Sequence, residues 1–453
     1  MSKTYRRFEP DQMFLMPPSL VEWLPKNHLV FFVRDVLEKI DLSPITSLYE
    51  REERGYPPYH PKMMTGILLY GYCNGIASSR KLAKHCEEDI AFRVLAANSQ
   101  PDFRTISDFR KRHLEALQHL FVEILALCRK AGLVKFGHIA LDGTKIKANA
   151  SLHKAMSYGY MNQETTRLRQ EIAELLRQAE RADRREDRKY GHDKRGDELP
   201  EELARRESRL AKIEEAKRAL EEEARRNNND NDPPSGPPSA KVKTERDAKS
   251  GKERPANSAQ RNFTDPDSRV MPYQKTFVQG YNAQLAVDSA HQIIVAPDVT
   301  NYPKDDAHLA HMIRQLPRKV KVLTADAGYF SDENLRTLKR NKKIDAYVAV
   351  SREKHGTPEK VTIRGRPPKD ITLRQWMRRK LLTRRGHQHY ARRKVVAEPP
   401  IGHIKHVLGF RQFSLRGQAK ARAEWFLIAT AHNLKKLFTA CLEKPKRRLV
   451  LVT

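Results

Sequence analysis

The sequence predicts an α/β protein in which a mixed sheet is covered by helices, preceded by a helical domain and interrupted by a helical insertion. The chain has 453 residues, which suggests two or three domains at about 150 residues each. Two further observations predict this class. Residues 1–135 show only helical periodicity, and strand-like segments alternate with helix-like segments after residue 263.

Residues 1–135 are predicted to form an all-helical N-terminal domain. Helix-like apolar spacing runs through MMTGILLYGYCNG, SSRKLAKHCEEDIAFRVLAA and TISDFRKRHLEALQHLFVEILALCRKAG. The last of these can begin at an N-cap of Thr105 or Ser107 and end at Gly132. Short basic helices separated by turns are compatible with a helix-turn-helix that reads DNA, and equally with a bundle whose basic faces are solvated. Both interpretations stay open.

Residues 152–226 are predicted to form an inserted coiled-coil helical hairpin. Two narrow apolar stripes flank the turn-rich segment GHDKRGDELP, and they consist of Leu168, Ile172, Leu175 and Ala179, and of Leu203, Leu210, Ile213 and Leu220. Residues 227–262 follow, rich in Asn, Pro, Ser and Lys, with almost no large apolar side chain. That composition predicts a disordered linker.

The sheet is predicted to form from residues 136–151 and 263–442. Its first strand contains HIALDGT, and KTFVQGYNAQLAVDS and QIIVAPDVTN form a hairpin. KVLTAD and IDAYVAV are the remaining strands, with helices in DDAHLAHMIRQL, SDENLRTLKRN and the apolar-periodic GQAKARAEWFLIATAHNLKKLFTACL. Residues 443–453 are left as a basic tail.

The charge of the chain predicts a polyanionic partner. Lys and Arg number 86 against 56 Asp and Glu, a net charge of +30, which favours nucleic acid over an acidic membrane surface. No apolar run approaches the roughly 18 residues of a membrane span, and no signal peptide is evident, so a cytoplasmic location without membrane association is expected. The four cysteines lack CxxC spacing and the histidines lack an HxxxH pair, so neither a disulfide framework nor a zinc site is expected.

Three acidic residues are the main candidates for chemistry. Asp142 lies in a short strand, Asp326 ends another, and Glu398 lies in a helix-like stretch before two prolines. Taken singly, the two aspartates can equally bond to nearby turns, and the glutamate can be a surface residue in an ion-paired stretch. If the three converge, their hard oxygens suit two Mg²⁺ or Mn²⁺ ions about 3.5–4 Å apart beside a phosphodiester.

Several segments together carry a family resemblance. They are LDGTKIKANAS, TDPDSRVM, QGYNAQLAVD, TADAGYFS and AEPPIGHIKHVLGFRQFSLRG, with YPPYHPKMMTGILLYGYCNGIASSRKL and FRTISDFRKRH in the N-terminal part. This set resembles the DDE transposases of bacterial insertion sequences, in the branch with an RNase H-like core and a Y-R-E-K signature. The resemblance covers nearly the whole chain except residues 152–262 and the tail.

The resemblance implies roles for particular residues. Asp142, Asp326 and Glu398 would be the catalytic, metal-binding triad of an RNase H-like domain. Lys405 matches the lysine of the signature, and Tyr390 and Arg393 are the nearest matches to its tyrosine and arginine. The spacing departs from the family pattern, because Lys394 stands at the position expected for the arginine. A lysine cannot make the bidentate contact that arginine makes with phosphate.

Basic residues outside the signature are also candidates for binding DNA. Residues 364–394 are densely basic, and Arg364 and Arg366 flank a glycine as in an AT-hook, which enters a narrow minor groove. The alternative is a basic loop that follows backbone phosphates. The motif TDPDSR adds Asp265 and Asp267, which are predicted to form a turn rather than to bind metal.

The function implied by the resemblance is DNA transposition. Such an enzyme binds terminal inverted repeats and target DNA as a homodimer or higher oligomer, acts at the bacterial nucleoid, and catalyses metal-dependent strand cleavage and strand transfer. The alternatives are a related RNase H-like nuclease without strand transfer, a non-catalytic DNA-binding relic, and a coiled-coil scaffold. Joining of cut DNA ends to a target plasmid would separate a transposase from a nuclease, loss of cleavage but not of DNA binding in Asp326→Ala would argue against a relic, and loss of all activity on deletion of 162–226 would indicate a scaffold.

Overall fold

The computed structural model describes residues 19–49, 58–190, 201–229, 241–246, 253–340, 343–351, 363–366, 368 and 370–444. The chain forms two compact units. One comprises Met1–Ala131 with Leu434–Thr453, and the other comprises Gly132–Asn433. The mixed α/β class, with a mixed sheet and a helical N-terminal region, is confirmed. The turn predicted at residues 191–200 and most of the tail, 445–453, lie outside the described residues.

The described N-terminal region consists of helices that follow a short 3-10 turn at Leu20–Trp23. They are α1 (Leu29–Leu37), α2 (Ser43–Tyr49), α3 (Pro61–Cys73), α4 (Ser79–Glu88), α5 (Ile90–Leu95), α6 (Phe103–Arg112) and α7 (Leu114–Lys130). The single helix predicted from Thr105 to Gly132 is wrong in two respects. Asp102 is the N-cap, because its carboxylate accepts from the Arg104 amide at 2.7 Å, and the chain breaks at His113.

The basic side chains of this region divide between surface and core. Arg80 and Arg104 are exposed, with their guanidinium carbons 5.1 and 5.6 Å from the centre of the Phe103 ring. Arg110 is instead 5% exposed, and its Nη1 donates to the Ala77 carbonyl at 2.7 Å. Arg110 therefore ties α6 to the turn before α4, while the exposed arginines remain available to a ligand.

Ten strands occur in the described parts of the second unit, and six of them form its main sheet. They are β1 (His138–Lys147), β2 (Ala155–Ser157), β3 (Thr244–Arg246), β4 (Glu253–Pro255), β5 (Gln260–Asn262), β6 (Arg269–Tyr273), β7 (Thr276–Asp288), β8 (Ile294–Thr300), β9 (Val322–Ala325) and β10 (Asp345–Val348). The main sheet runs β10-β9-β1-β7, and β6 and β8 both pair with the far edge of β7. β1 is antiparallel to β7 and parallel to β9, so the sheet is mixed.

The second unit also contains the remaining helices. They are α8 (Tyr158–Tyr190), α9 (Glu201–Asn229), α10 (Leu309–Gln315), α11 (Asp332–Arg340), α12 (Leu373–Leu381), α13 (Arg384–Gly402) and α14 (Gln418–Glu443), whose last residues belong to the first unit. α13 packs across β1, β7, β9 and β10. α14 reaches the centre of the sheet through Trp425, which is fully buried and donates from Nε1 to the Gln284 carbonyl at 3.1 Å.

Helix α13 continues through two prolines, although the residue before a proline is disfavoured in the α region. Pro399 and Pro400 lack the amide hydrogens that would bond to the carbonyls four residues earlier. The Val395 carbonyl, which loses its partner at Pro399, accepts instead from Gln292 Nε2 at 2.9 Å. A π-helical turn at His403–Val407 follows directly. An external donor therefore compensates one of the two lost backbone bonds.

The insertion contains two long helices that lie side by side and antiparallel. Glu171 of α8 pairs with Arg206 of α9 at 2.9 Å, and Leu168 and Ile213 lie in their shared apolar cluster. Coiled-coil packing of these helices stays a prediction. The disordered linker predicted at 227–262 is wrong for its described residues, which end α9 and form β3, β4 and β5, because short backbone pairings order them; 230–240 and 247–252 lie outside the described residues.

Candidate functional site

Asp142 and Asp326 stand at the same level on neighbouring strands. The parallel register pairs Ala140 with Thr324, and continuing it by two residues brings Asp142 beside Asp326. β9 ends at Ala325, so Asp326 is the first residue beyond the strand, while β1 continues past it. Asp326 then caps a 3-10 turn, accepting from the Gly328 amide at 3.0 Å. Asp142 and Asp326 therefore lie next to each other, just beyond the point where the pairing of β1 with β9 ends.

The Asp142 carboxyl lies in a poorly solvated position, with 15% of its side chain exposed. Burial raises the pKa of Asp142 to about 6, and the nearby charges of Asp326 and Asp305 add to the rise. The guanidinium of Arg393 and the amide of Gly143, which donates at 2.9 Å, act in the opposite direction. The negative charge at this position is therefore incompletely compensated by the protein.

Arg393 is the cation on which all three predicted acids act. It is 9% exposed, and its Nη1 lies 3.4 Å from Asp142 Oδ2. Burial by itself would lower the pKa of Arg393, but the charges of Asp142, Asp326 and Glu398 raise it on balance. In this conformation the guanidinium forms an ion pair with Asp142, and the contact of Arg393 with DNA that the resemblance implies stays a prediction.

Glu398 lies on α13, the helix that also carries Arg393. Its side chain is exposed, in contrast to the partly buried side chain of Asp142. The electrostatic coupling to Arg393 is the link between Glu398 and the two aspartates. Asp142 thus contacts the Arg393 guanidinium, while Asp326 and Glu398 act on it electrostatically, and the catalytic role of the three acids stays a prediction.

The residues nearest to the expected signature differ in exposure. Tyr390 is half-buried, with the Arg393 guanidinium 6.0 Å from its ring centre, and Lys394 is exposed on the same helix. Lys405 lies in the π-helical turn and is 8% exposed. Its Nζ donates to the Lys145 carbonyl at 2.9 Å, and burial, with Lys145 and Arg411 nearby, lowers the pKa of Lys405 to about 8.

Arg364 and Arg366 lie in a bend before α12, and within the described residues no hydrogen bond or ion pair connects them to the three acids. Both are exposed, and Gly365 between them has φ +90°, a conformation that favours glycine. Arg379 of α12 donates from Nη2 to the Arg364 carbonyl at 3.1 Å, which fixes the bend. This bend therefore presents the side chains of Arg364 and Arg366 to solvent.

Sequence reasoning missed Asp305, which lies in the loop after β8. Its Oδ1 accepts from Asn282 Nδ2 at 2.7 Å and from Gln284 Nε2 at 2.8 Å, and lies 3.5 Å from Lys145 Nζ. A Cβ on Gly143 would stand 2.7 Å from that same oxygen, so glycine leaves the space that Asp305 fills. The signal available in the sequence was the pair of buried amides in GYNAQ, since buried amides need a polar partner.

Asp265 and Asp267 serve a structural purpose, as the turn prediction implies. The Asp265 carboxylate accepts from the Tyr281 hydroxyl at 2.8 Å and the Gly417 amide at 3.1 Å. Asp267 accepts from the Gln418 amide at 2.9 Å, at the first residue of α14. These acids therefore fix the start of α14, where their negative charge interacts favourably with the positive end of the helix dipole.

The acids fit a hard divalent cation by charge and donor type. Within the part of the chain that the structure describes, no three His, Cys, Asp or Glu side chains converge closely enough to enclose a metal ion. The candidate donors are nonetheless carboxylate oxygens, which Mg²⁺ and Mn²⁺ prefer. Burial, with a smaller contribution from neighbouring acids, raises the pKa of Asp142, so its ionised form is poorly stabilised and a bound cation would stabilise it.

Comparison with protein families identifies the class. Residues 18–112 match the family described as Transposase domain (DUF772), and residues 255–434 match the family described as Transposase DDE domain. The two matches support a DDE transposase of the insertion-sequence type. Asp326 and Glu398 lie within the second match, whereas Asp142 lies outside both, on the strand paired with β7.

No curated protein and no solved structure matches the chain significantly. Within the described residues, no helix is both long and apolar enough to cross a membrane.

Proposed function

We propose that the chain is an active transposase that cuts the ends of a DNA element and joins them to target DNA. The observation that carries the proposal is the position of Asp142 and Asp326, each two residues beyond the last paired residues of the parallel strands β1 and β9, across which the helix of Glu398 packs. Loss of solvent around Asp142 and coupling of all three acids to Arg393 support a shared electrostatic role.

The residues that would hold the cations are Asp142, Asp326 and Glu398. Two Mg²⁺ or Mn²⁺ ions supply activation of the attacking oxygen and stabilisation of the leaving oxygen when they are bound. Asp142 stands on β1 and Asp326 directly follows β9, which suits precise positioning of a phosphodiester. Glu398 stands on a helix at the surface, so it can reach the site from the side of the DNA. Arg393 must give up part of its contact with Asp142 as cations enter.

Exposed cations would hold the DNA backbone. Lys394, Arg364 and Arg366 are exposed, and the net charge of +30 draws DNA to the chain. Lys405 and Tyr390 would contact DNA near the scissile phosphate, as in the Y-R-E-K signature. The affinity for DNA should therefore fall steeply as salt rises, since each phosphate contact releases counterions.

The finer architecture belongs to the same proposal. We assign residues 136–151 and 263–442 to an RNase H-like catalytic domain, residues 1–135 to DNA end binding, and 152–226 to a coiled-coil arm. A homodimer or higher oligomer would bring two element ends together on the target. Because its substrate is chromosomal DNA, the enzyme would act at the bacterial nucleoid.

The test uses the full chain, labelled duplexes that carry the terminal inverted repeats, and a target plasmid with Mg²⁺. Wild-type protein should cleave the duplex beside the repeat and yield joined plasmid products. Asp326→Ala should bind the duplex with unchanged affinity while losing cleavage and joining. Asp332→Ala, an exposed acid at the start of α11, is the matched control and should behave as wild type.

The same experiment separates the alternatives. Cleavage without joined products would favour an RNase H-like nuclease that lacks strand transfer. DNA binding without cleavage by the wild-type protein would favour a non-catalytic relic. Wild-type rates of cleavage by Asp326→Ala would contradict the proposed site.

A further inference from the structure

The loop after β8 places a fourth acid beside the candidate site. Asp142 and Gly143 face opposite sides of β1, because successive strand residues alternate. α13 and Arg393 cover the side of Asp142, while Asp305 approaches from the side of Gly143. A Cβ on Gly143 would stand only 2.6 Å from Gln284 Nε2 and 2.7 Å from Asp305 Oδ1. The absence of that Cβ leaves space for the Asp305 carboxylate beside β1.

The two oxygens of Asp305 have different surroundings. Oδ1 is fixed by the amides of Asn282 and Gln284 and faces the Lys145 ammonium. Oδ2 is directed toward the turn of Gly328, at 3.0 Å from the point where a Cβ on that residue would stand. Asp326 Oδ1 lies 3.1 Å from the same point. The carboxylates of Asp305 and Asp326 therefore meet across a second glycine.

Asp305 acts electrostatically on the same neighbours as Asp326 does. Among the charges that act on Lys145 are those of Asp305 and Asp326, and among those that act on Asp142 are the same two. Asp326 is thus the shared member of two groups, one with Asp142 and Arg393, the other with Asp305 and Lys145. An acid with one oxygen anchored and the other directed toward the turn of Asp326 has the form of a pre-positioned ligand.

We propose that Asp305 is a fourth acidic residue of the catalytic site and binds a divalent cation together with Asp326, directly or through one water of the cation. Lys145 neutralises Asp305 until the cation arrives. This inference rests on the proposed function, because it adds a ligand to the same site. It assigns the amides of Asn282 and Gln284 the task of holding that ligand, in the manner of the outer partners that orient metal-binding carboxylates.

The experiment measures Mn²⁺ binding to the full chain without DNA, by titration calorimetry and by the electron paramagnetic resonance signal of free Mn²⁺. Asp305→Asn keeps the size of the side chain and an oxygen for the two amides, so it should fold. Its affinity for Mn²⁺ should fall by about tenfold or more. Asp306→Asn is the matched control, since its Oδ1 accepts only locally, from the Ala307 amide at 2.9 Å, and it should bind as wild type.

A second variant tests the same contact without altering Asp305. Lys145→Met removes the neutralising charge from a side chain that is 14% exposed, and it leaves the Lys145 carbonyl in place for Lys405. Binding of Mn²⁺ should become tighter, by about threefold or more, because a competing cation is lost. A purely structural role for Asp305 predicts the opposite sign, since disrupting its surroundings would weaken binding.

The outcomes separate the two proposals. Wild-type affinity in folded Asp305→Asn, or unchanged or weaker binding in Lys145→Met, overturns the assignment of Asp305. If Asp305→Asn does not fold, as judged by circular dichroism, the sign of the Lys145→Met effect decides. Asp326→Asn is the reference: if it binds Mn²⁺ as tightly as wild type, the proposed site itself fails, whatever the Asp305 variant does.

Discussion

Replacing Asp142 by Asn should stabilise the metal-free protein at neutral pH. Burial is the first cause that raises the pKa of Asp142 from 3.8 to about 6, with the acids of Asp326 and Asp305 adding to it. Moving a pKa by this amount costs about 3 kcal/mol of folding free energy once the group is ionised. Because the Asn side chain resembles the neutral acid, the variant avoids that cost.

The pH dependence follows from the direction of the shift. The folded protein binds the Asp142 proton more tightly than the unfolded chain does, so this contribution to stability is fully present below 3.8. It is lost as the pH rises through about 6, the pKa in the folded state. The difference between Asp142→Asn and wild type should therefore be small at low pH and largest above neutrality.

Thermal unfolding in EDTA is the assay, monitored by circular dichroism at acidic and mildly alkaline pH. At the alkaline pH the variant should melt roughly 6 °C or more above wild type, at about 2 °C per kcal/mol. Mg²⁺ at a hundred times its Kd should restore about 2.7 kcal/mol to wild type and little to the variant, which nearly closes the gap. A variant that melts below wild type in EDTA at this pH would refute the argument.

Two further predictions concern the segment that follows α13. Glu424 is 2% exposed and accepts hydrogen bonds from the Ser414 amide and hydroxyl and from the Leu415 amide. Glu424→Ala should therefore lower the free energy of unfolding by about 3 kcal/mol, as measured by urea denaturation. Glu443→Ala, at an exposed position, is the control and should leave the stability unchanged. Burial lowers the pKa of Lys405 to about 8, so the side chain loses its charge as the pH rises through that value. The DNA affinity of the wild type, measured by fluorescence anisotropy, should therefore decline between about pH 7 and 9, and that of Lys405→Met should decline less. Equal declines in the two proteins would contradict a contact between Lys405 and DNA.

The sequence predicted the strands that carry the site because each has a local signal. β1, β7, β8 and β9 are short apolar runs bounded by turn residues, and the predicted hairpin pairs β7 with β8 as expected. The level at which Asp142 meets Asp326 is a different kind of fact. It depends on the register of β1 against β9, which joins residues far apart in sequence, and no local pattern specifies it.

The parts that sequence reasoning got wrong involve long-range partners. Pro399 predicts a helix boundary locally, but Gln292, over a hundred residues earlier, satisfies the carbonyl that the proline leaves free. Asp305 looks like a residue that begins a helix, and only the folded sheet brings it to Gly143. The described residues of 227–262 gain order from strand pairing that their composition does not announce.

The insertion between β1 and β7 bears on how the chain reaches its native state. Lys147 pairs with Gly280, more than a hundred residues later, so this central pairing would close a very long loop. Loop closure of that length is slow and entropically unfavourable when the intervening chain is unstructured. α8 and α9 depend on nearby residues and can associate early, and β2 then pairs with β5 at their base. Early association of α8 with α9 would thus shorten the effective loop between β1 and β7 during folding, so that these two strands are already close before they pair.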